Sequence, residues 1–388
     1  MNIRILPISL LAIALCTSNL IAQASRTGAL VETIQPFVDR GELAGAVALV
    51  ADRDGVLTVE AAGFADLAND RPMTTDSLFW IASQSKPMTA VAVMMLVDEG
   101  KISLDDPVHK YLPEFRGQML IAEETPDRVV LKKPARPVTI RDTLCHVAGM
   151  PFQSPIEVPT LDGLPLAAAV RSYAVTPLLT EPGTAYRYSN AGINTAARVL
   201  EVVSDLPYET FMQQRLFDPL GMKDTTFWPS GVQLERLAKS YRPNEAKDGL
   251  VETPISQLLY PLDERSKRFP MPAGGLFSTA GDTALFCRMM LRRGELNGKR
   301  LISESAWNEL TRRQTPTAVK DSYGLGFKVE PEHFGHGGAH ATGMEIRPEP
   351  GLALVWMVQQ TGGFPGEGAK AQTAFKTWAL ERYAGRRD

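Results

Sequence analysis

Three short segments carry side chains able to do nucleophilic chemistry: Ser83-Gln84-Ser85-Lys86, Tyr186-Arg187-Tyr188-Ser189-Asn190 and Phe334-Gly335-His336-Gly337-Gly338-Ala339-His340. In the first, a serine and a lysine three positions apart share one face of a helical turn, so the amine can reach the hydroxyl oxygen. So short a pattern recurs by chance, and its surroundings decide its weight. Pro87 suits a first helical turn, where a missing N–H costs little. From Met88 to Val97 the chain is apolar around every face before Asp98-Glu99-Gly100 stops it. A helix apolar all round is buried, and this one is too short to span a bilayer. The pattern predicts a rigid core helix whose N-terminus presents Ser83 with positive dipole character at its oxygen.

Tyr188 and Asn190 lie just before a second apolar helical stretch, and offer a proton-handling phenol and a polar orienter. A phenol with an ordinary pKa of about 10 accepts a proton only where a cation stabilises the phenolate, which Lys86 could do. Alternatively Lys86 is itself the base: bringing a lysine from about 10.4 to near 7–8 takes roughly 3–5 kcal/mol, within reach of a buried site. The two assignments titrate as a coupled pair and both stay open at this point.

His333, His336 and His340 have spacings that would align on a helix and suggest a metal. Gly335, Gly337, Gly338 and Gly343 argue against that helix, and no carboxylate or cysteine stands alongside, so no metal or other cofactor is expected. Phosphate-binding glycine patterns and the G-x-S-x-G elbow of lipases are both absent from the sequence. The better reading is a glycine-rich edge strand that a substrate backbone can approach closely, with His336 available for a polar or acid contact.

The elements that must position these residues come from the two ends of the chain. Spacing predicts a helix near Leu30–Val38, strands at Gly45–Val50 and Val56–Glu60 joined through Asp54-Gly55, and the buried helix of Lys86–Gly100. Near the other end, Gly324–Val329, Gly343–Arg347 and Leu352–Gln359 read as strands and Ala369–Tyr383 as a helix. This is an α/β frame, 25–100 and 271–388, with a sheet flanked by helices and a helical insertion over 101–270. The 388 residues are 44% hydrophobic and 22% charged, which is ordinary globular composition. With 41 Lys+Arg against 44 Asp+Glu the net charge is −3, leaving no electrostatic footprint for nucleic acid.

Residues 1–24 read as a signal peptide: Arg4 in a short basic start, an apolar run from Ile5 to Leu15, and Ala22-Gln23-Ala24 as the cleavage signature. An exported protein, periplasmic or secreted, without stable membrane insertion after cleavage, is the expectation. Cys145 and Cys287 then remain, free to pair in an oxidising compartment or to act as small buried hydrophobes.

Taken together, Ser83-x-x-Lys86, Tyr188-Ser189-Asn190 and His336-Gly337-Gly338, in this order, resemble the three motifs of the serine β-lactamase-related proteins. That group spans class C β-lactamases, penicillin-binding proteins, D-stereospecific peptidases and β-lactamase-like esterases. Cys145-His146-Val147-Ala148-Gly149 and Gly274-Gly275-Leu276-Phe277-Ser278-Thr279 strengthen the likeness, which extends over about residues 30–380. The resemblance implies a β-lactamase/transpeptidase-like three-layer sandwich, its antiparallel sheet flanked by helices, plus an all-helical region, with the active site between them. It further implies Ser83 as acylated nucleophile, Lys86 and Tyr188 as the proton-handling pair, and Asn190 as orienter. His336, Gly338 and Ala339 would border the substrate, with the N–H groups of Ser83 and Ala339 as oxyanion hole. Two departures qualify the likeness. The third motif starts with His336 where penicillin-recognising members usually have lysine, and His146 is followed by Val147-Ala148 where Thr-Ser is more usual. A mostly neutral imidazole is a poor anchor for a penicillin-type carboxylate. The expectation is therefore an esterase-like acyl hydrolase acting on a small ester, amide or peptide. A D-stereospecific or cell-wall peptidase, a β-lactamase, and a non-catalytic peptide- or glycan-binding protein are the alternatives.

Overall fold

The computed structural model describes residues 30–385, so the expected signal peptide lies outside the described residues. A seven-stranded sheet organises the fold. In chain order its strands are β1 (Gly45–Ala51), β2 (Val56–Asp66), β3 (Arg71–Pro72), β4 (Lys328–Val329), β5 (Phe334–Gly337), β6 (Gly343–Arg347) and β7 (Leu352–Met357). The spatial order is β4-β5-β6-β7-β1-β2-β3, antiparallel throughout, so that β7 from the C-terminal part lies beside β1 from the N-terminal part.

Strand periodicity explains the layers. Val47, Leu49 and Ala51 of β1 point into the larger core, while Ala46, Ala48 and Val50 point into the smaller one. On β7, Val355 and Met357 join the first face, and Leu354 and Trp356 the second. A strand buried on both faces reads as a continuous apolar run because neither set of alternate positions meets water. The smaller core is closed by helix α1 (30–39) and by the C-terminal helix, residues Lys370–Tyr383. That last helix presents Ala371, Phe375, Ala379 and Tyr383 at four-residue intervals, and Phe375 stacks on Trp356 at 5.8 Å. The larger core contains α2 (Ser85–Asp98), buried along its length as its composition demands, α3 (Asn190–Ser204) and α4 (Ala280–Leu291).

Three expectations need correction. The region over 101–270 is not all-helical: Leu120–Thr125 pairs with Arg128–Lys132, and Tyr241–Pro243 with Leu250–Glu252. The first hairpin turns at Pro126-Asp127 and carries β-branched Val129 and Val130, strand-forming chemistry in a mostly exposed ribbon. The strand expected at Gly324–Val329 shrinks to Lys328–Val329, because Gly326 takes a φ of +73° and turns the chain where an added Cβ would meet Ala90 at 2.6 Å. Finally, β5 is not the outermost strand. The short β4 covers only Phe334 and Gly335, which leaves His336 and Gly337 unpaired on that side. Cys145 and Cys287 are buried and free; the sulfur of Cys287 lies 3.8 Å from that of Met344. Among the described residues no helix is long and apolar enough to cross a membrane.

Candidate active site

Ser83 sits in a single 3₁₀ turn, Ala82–Gln84, directly before α2. Ala82 adopts a φ of +46°, a left-handed conformation that costs an alanine about 1 kcal/mol and turns the next residue toward the cleft. Ser85 then steadies the turn by donating its hydroxyl to the Ala82 carbonyl at 2.7 Å. From the second residue of α2, the Lys86 amine donates to Ser83 Oγ at 2.9 Å and to the Ala273 carbonyl at 2.7 Å.

Ala273 belongs to a loop held from three sides. Asn194 of α3 accepts its N–H at 3.0 Å, Thr89 of α2 donates to the Pro272 carbonyl at 2.8 Å, and Trp80 Nε1 donates to the Gly274 carbonyl at 2.7 Å. The amine of Lys86 therefore has a rigid second acceptor. Full burial, with no carboxylate among the described residues paired to it, pushes that amine well below the ordinary lysine value.

Tyr188 reaches the same point from the loop before α3. Its phenol interacts with the Ser83 hydroxyl, and its ring centroid lies 4.6 Å from the Lys86 nitrogen. Burial raises the phenol above its ordinary value, partly offset by the Ser83 contact. The resting pair is thus a neutral phenol beside an amine whose proton is held loosely. Ser189 caps α3 by accepting the Gly192 N–H at 3.0 Å, which fixes where Tyr188 ends and Asn190 begins. Asn190 is buried, its N–H bonds the Phe152 carbonyl at 3.0 Å, and its side-chain oxygen has no partner among the described residues.

β5 supplies the opposite wall. Gly338 brings the turn after β5 against the nucleophile segment: a Cβ here would stand 2.6 Å from the Ile81 carbonyl oxygen and 2.2 Å from Thr342 Oγ1. Only glycine permits that approach. Ser83, Tyr188, Asn190, Gly337, Gly338 and Ala339 all line one cavity of about 290 Å³, whose other walls include Trp80, Phe152, Gln257 and Met271. His336 does not line this cavity; it borders a separate groove along β5 and lies 6.1 Å from Tyr188 ring to ring. Besides Tyr188 and Asn190, the region over 101–270 contributes to the cavity lining only Phe152 and Gln257.

Ser83, Lys86, Tyr188, Asn190, Gly338 and Ala339 therefore converge, whereas His336 joins them only through its packing on Tyr188. The histidine trio does not converge. His340 bonds Ser240 at 2.5 Å and packs edge-on to Trp80, while His333 lies 3.7 Å from Glu345. Among the described residues no group of three or more histidine, cysteine, aspartate or glutamate side chains could hold a metal. Val147 and Ala148, which replace the usual hydroxyl residues, are packed in the larger core and do not line the cavity. Sequence reasoning missed Ala273, whose contribution is a carbonyl oxygen that any residue could supply. It also missed Tyr323, whose hydroxyl is hydrogen-bonded to His336 from a segment with no motif around it.

Comparison with known proteins agrees with this geometry. Residues 30–377 match the family model described as Beta-lactamase. A curated relative, Protein Rv1367c of Mycobacterium tuberculosis, is 30% identical over 361 residues, covering 84% of this chain and 88% of its own. Among solved structures, EstCE1, a hydrolase with promiscuous acyltransferase activity, superposes with a TM-score of 0.75 at 23% identity, over 92% of this chain and 99% of its own. Simvastatin synthase (LovD) from Aspergillus terreus superposes with a TM-score of 0.75 at 18% identity, over 93% and 99%. The fold is the β-lactamase/transpeptidase-like one, mixed α/β with a large antiparallel sheet flanked by helices.

Proposed function

The chain belongs to the beta-lactamase family, whose members are serine hydrolases, and from that premise we propose that it is an esterase-like acyl hydrolase working through an acyl-enzyme on Ser83. The observation that carries this reading is the Lys86 amine bonded to the Ser83 hydroxyl at 2.9 Å beside a cavity with Trp80, Phe152 and Met271 in its walls. A desolvated amine with a lowered pKa can act as base near neutrality, whereas a phenol with a raised one cannot. Lys86 is therefore assigned as the base for attack, and Tyr188 as the relay.

In the proposed course, Ser83 Oγ attacks the ester carbonyl carbon and its proton passes to Lys86 Nζ. The oxyanion is received by the N–H groups of Ser83 and Ala339, the kind of preorganised donor pair that usually supplies the largest share of acyl-transfer catalysis. The bond to the alcohol oxygen breaks as the proton returns from Lys86 through the Tyr188 hydroxyl to that oxygen. Water then repeats the attack on the acyl-enzyme, and the acid leaves with Ser83 restored. Asn190, with its unpartnered buried side-chain oxygen, orients the substrate.

The preference for esters over penicillin-type substrates rests on His336, which stands without a permanent cation where a carboxylate would otherwise be held. Intact-protein mass after incubation with an activated short-chain ester and with a penicillin, Ser83→Ala alongside, tests the assignment. Ser83-dependent ester turnover with little penicillin adduct is expected. A long-lived penicilloyl adduct would reassign the protein to the penicillin-binding peptidases, rapid penicillin turnover to the β-lactamases, and no reaction with either to the binding proteins. Export is proposed on the 1–24 segment alone, and N-terminal sequencing of protein recovered outside the cytoplasm tests it.

A further inference from the structure

His336, the first residue of the third motif, packs beside Tyr188 at 6.1 Å ring to ring, and both of its ring nitrogens are already engaged. Nδ1 lies 2.6 Å from the Gly337 carbonyl oxygen. A carbonyl only accepts, so Nδ1 carries a proton. Nε2 lies 2.9 Å from the Tyr323 hydroxyl oxygen. Tyr323 is buried at 2% exposure, and its hydroxyl has no other partner among the described residues. If it accepted from an imidazolium, its own proton would be left buried and unpaired, at the cost of a lost hydrogen bond. The phenol must donate, and Nε2 must offer its lone pair.

We infer that Tyr323 is a specificity-determining residue: by donating to Nε2 it holds His336 as the neutral Nδ1–H tautomer, so that the cleft favours acyl groups without a free carboxylate. This rests on the acyl-hydrolase reading above and adds the residue that sets its selectivity. The titratable and charged groups around the imidazole favour the same state. Lys86 on α2 and Lys328 on β4 oppose a further positive charge, and His146, Tyr188 and Tyr323 on the adjoining loops are neutral groups. Glu330 and His333 border the groove behind β5, and no carboxylate contributes to the shift of the imidazole. Burial, and then Lys86, hold His336 below the ordinary histidine value, in the same direction as the Tyr323 bond. Tyr323 is itself fixed in an aromatic cluster, 4.7 Å from His146 and 5.8 Å from Tyr186. The donor therefore cannot swing away without disturbing that packing.

Two measurements test the lock independently. The chain has five histidines, so long-range ¹⁵N–¹H spectra of histidine-labelled protein, with His336→Gln for assignment, read the tautomer directly. A neutral Nδ1–H signal for His336 through mildly acidic pH is expected, and an Nε2–H or imidazolium signal there would overturn the inference. The second measurement is the rate at which Ser83 is labelled by two 4-nitrophenyl alkylphosphonates of equal length, one neutral and one ending in a carboxylate. In Tyr323→Phe, which keeps the ring but loses the donor, the imidazolium should become about tenfold easier to form, the scale of one buried hydrogen bond, so at the acidic end of the range in which the protein stays folded the share of the anionic reagent should exceed that of wild type by up to about tenfold. A share no higher than that of wild type in a folded Tyr323→Phe would refute the selectivity role. Should Tyr323→Phe fail to fold, the tautomer of the wild type still decides. If neither phosphonate labels Ser83, the acyl-hydrolase reading falls and the selectivity inference with it, while the spectrum separately shows whether the Tyr323–His336 bond exists.

Discussion

Replacing Gly338 by alanine tests whether the closeness of the two walls, more than the identity of their side chains, sets the rate. The new Cβ would stand 2.6 Å from the Ile81 carbonyl oxygen, two residues before the nucleophile, and 2.2 Å from Thr342 Oγ1. Thr342 can rotate, but a backbone carbonyl cannot. Restoring an ordinary contact requires the turn after β5 and the nucleophile segment to part by roughly 0.5–1 Å, a displacement able to cost about 10²-fold in rate when reacting groups are misplaced. Overpacking of this kind costs about 1–3 kcal/mol in stability, so the protein should still fold. The assay is kcat/KM for a short-chain 4-nitrophenyl ester beside the thermal midpoint. Gly337→Ala serves as the control for stability, since its Cβ would meet nothing closer than the Thr342 carbonyl oxygen at 3.6 Å. Adding Thr342→Ala to Gly338→Ala should recover little activity, because the Ile81 carbonyl remains. A Gly338→Ala enzyme within about threefold of wild-type rate would refute the reasoning, since so small a loss cannot accompany that displacement.

Lys86→Met and Tyr188→Phe should each lower ester kcat/KM by about 10²–10⁴ without unfolding the protein, and a near-silent Tyr188→Phe would remove the phenol from the relay. Because burial lowers the Lys86 pKa, wild-type kcat/KM should rise with pH through a limb well below the ordinary lysine value, and Lys86→Met should abolish that limb. His340 is held down to about 4 by burial, so between about pH 4 and 6.5 the unfolded chain binds a proton that the folded one refuses, and stability falls as pH falls through that window. That loss amounts to roughly 3 kcal/mol at most, and denaturant midpoints across the window should be flatter in His340→Gln. Burial pushes the Cys145 thiol up to about 12 and also raises that of Cys287, so both should resist thiol reagents in the native state and react on denaturation.

How much was legible beforehand differed by kind of information. Ser83 and Lys86 are three residues apart, and a single turn followed by a helix fixes their mutual reach without help from the rest of the fold. The burial of α2 was legible because its apolar residues leave no face for water. Strands buried on both faces, β1 and β7, declared themselves by the same logic. The exposed hairpin of Leu120–Lys132 did not, since a short solvent-facing ribbon has no buried face and so no period to read.

By itself, then, the sequence determined which side chains could act, their order, and the helices and strands that present them, because those properties are local. Only the tertiary structure decided that Tyr323 and His336, thirteen residues apart, meet as donor and acceptor, and that the Ala273 carbonyl, 187 residues from Lys86, completes the hydrogen bonding of its amine. It also decided which proton each group keeps. The state of the amine, the phenol and the imidazole depends on how far water is excluded and on which charges stand nearby, and both are set by packing between segments distant in the chain.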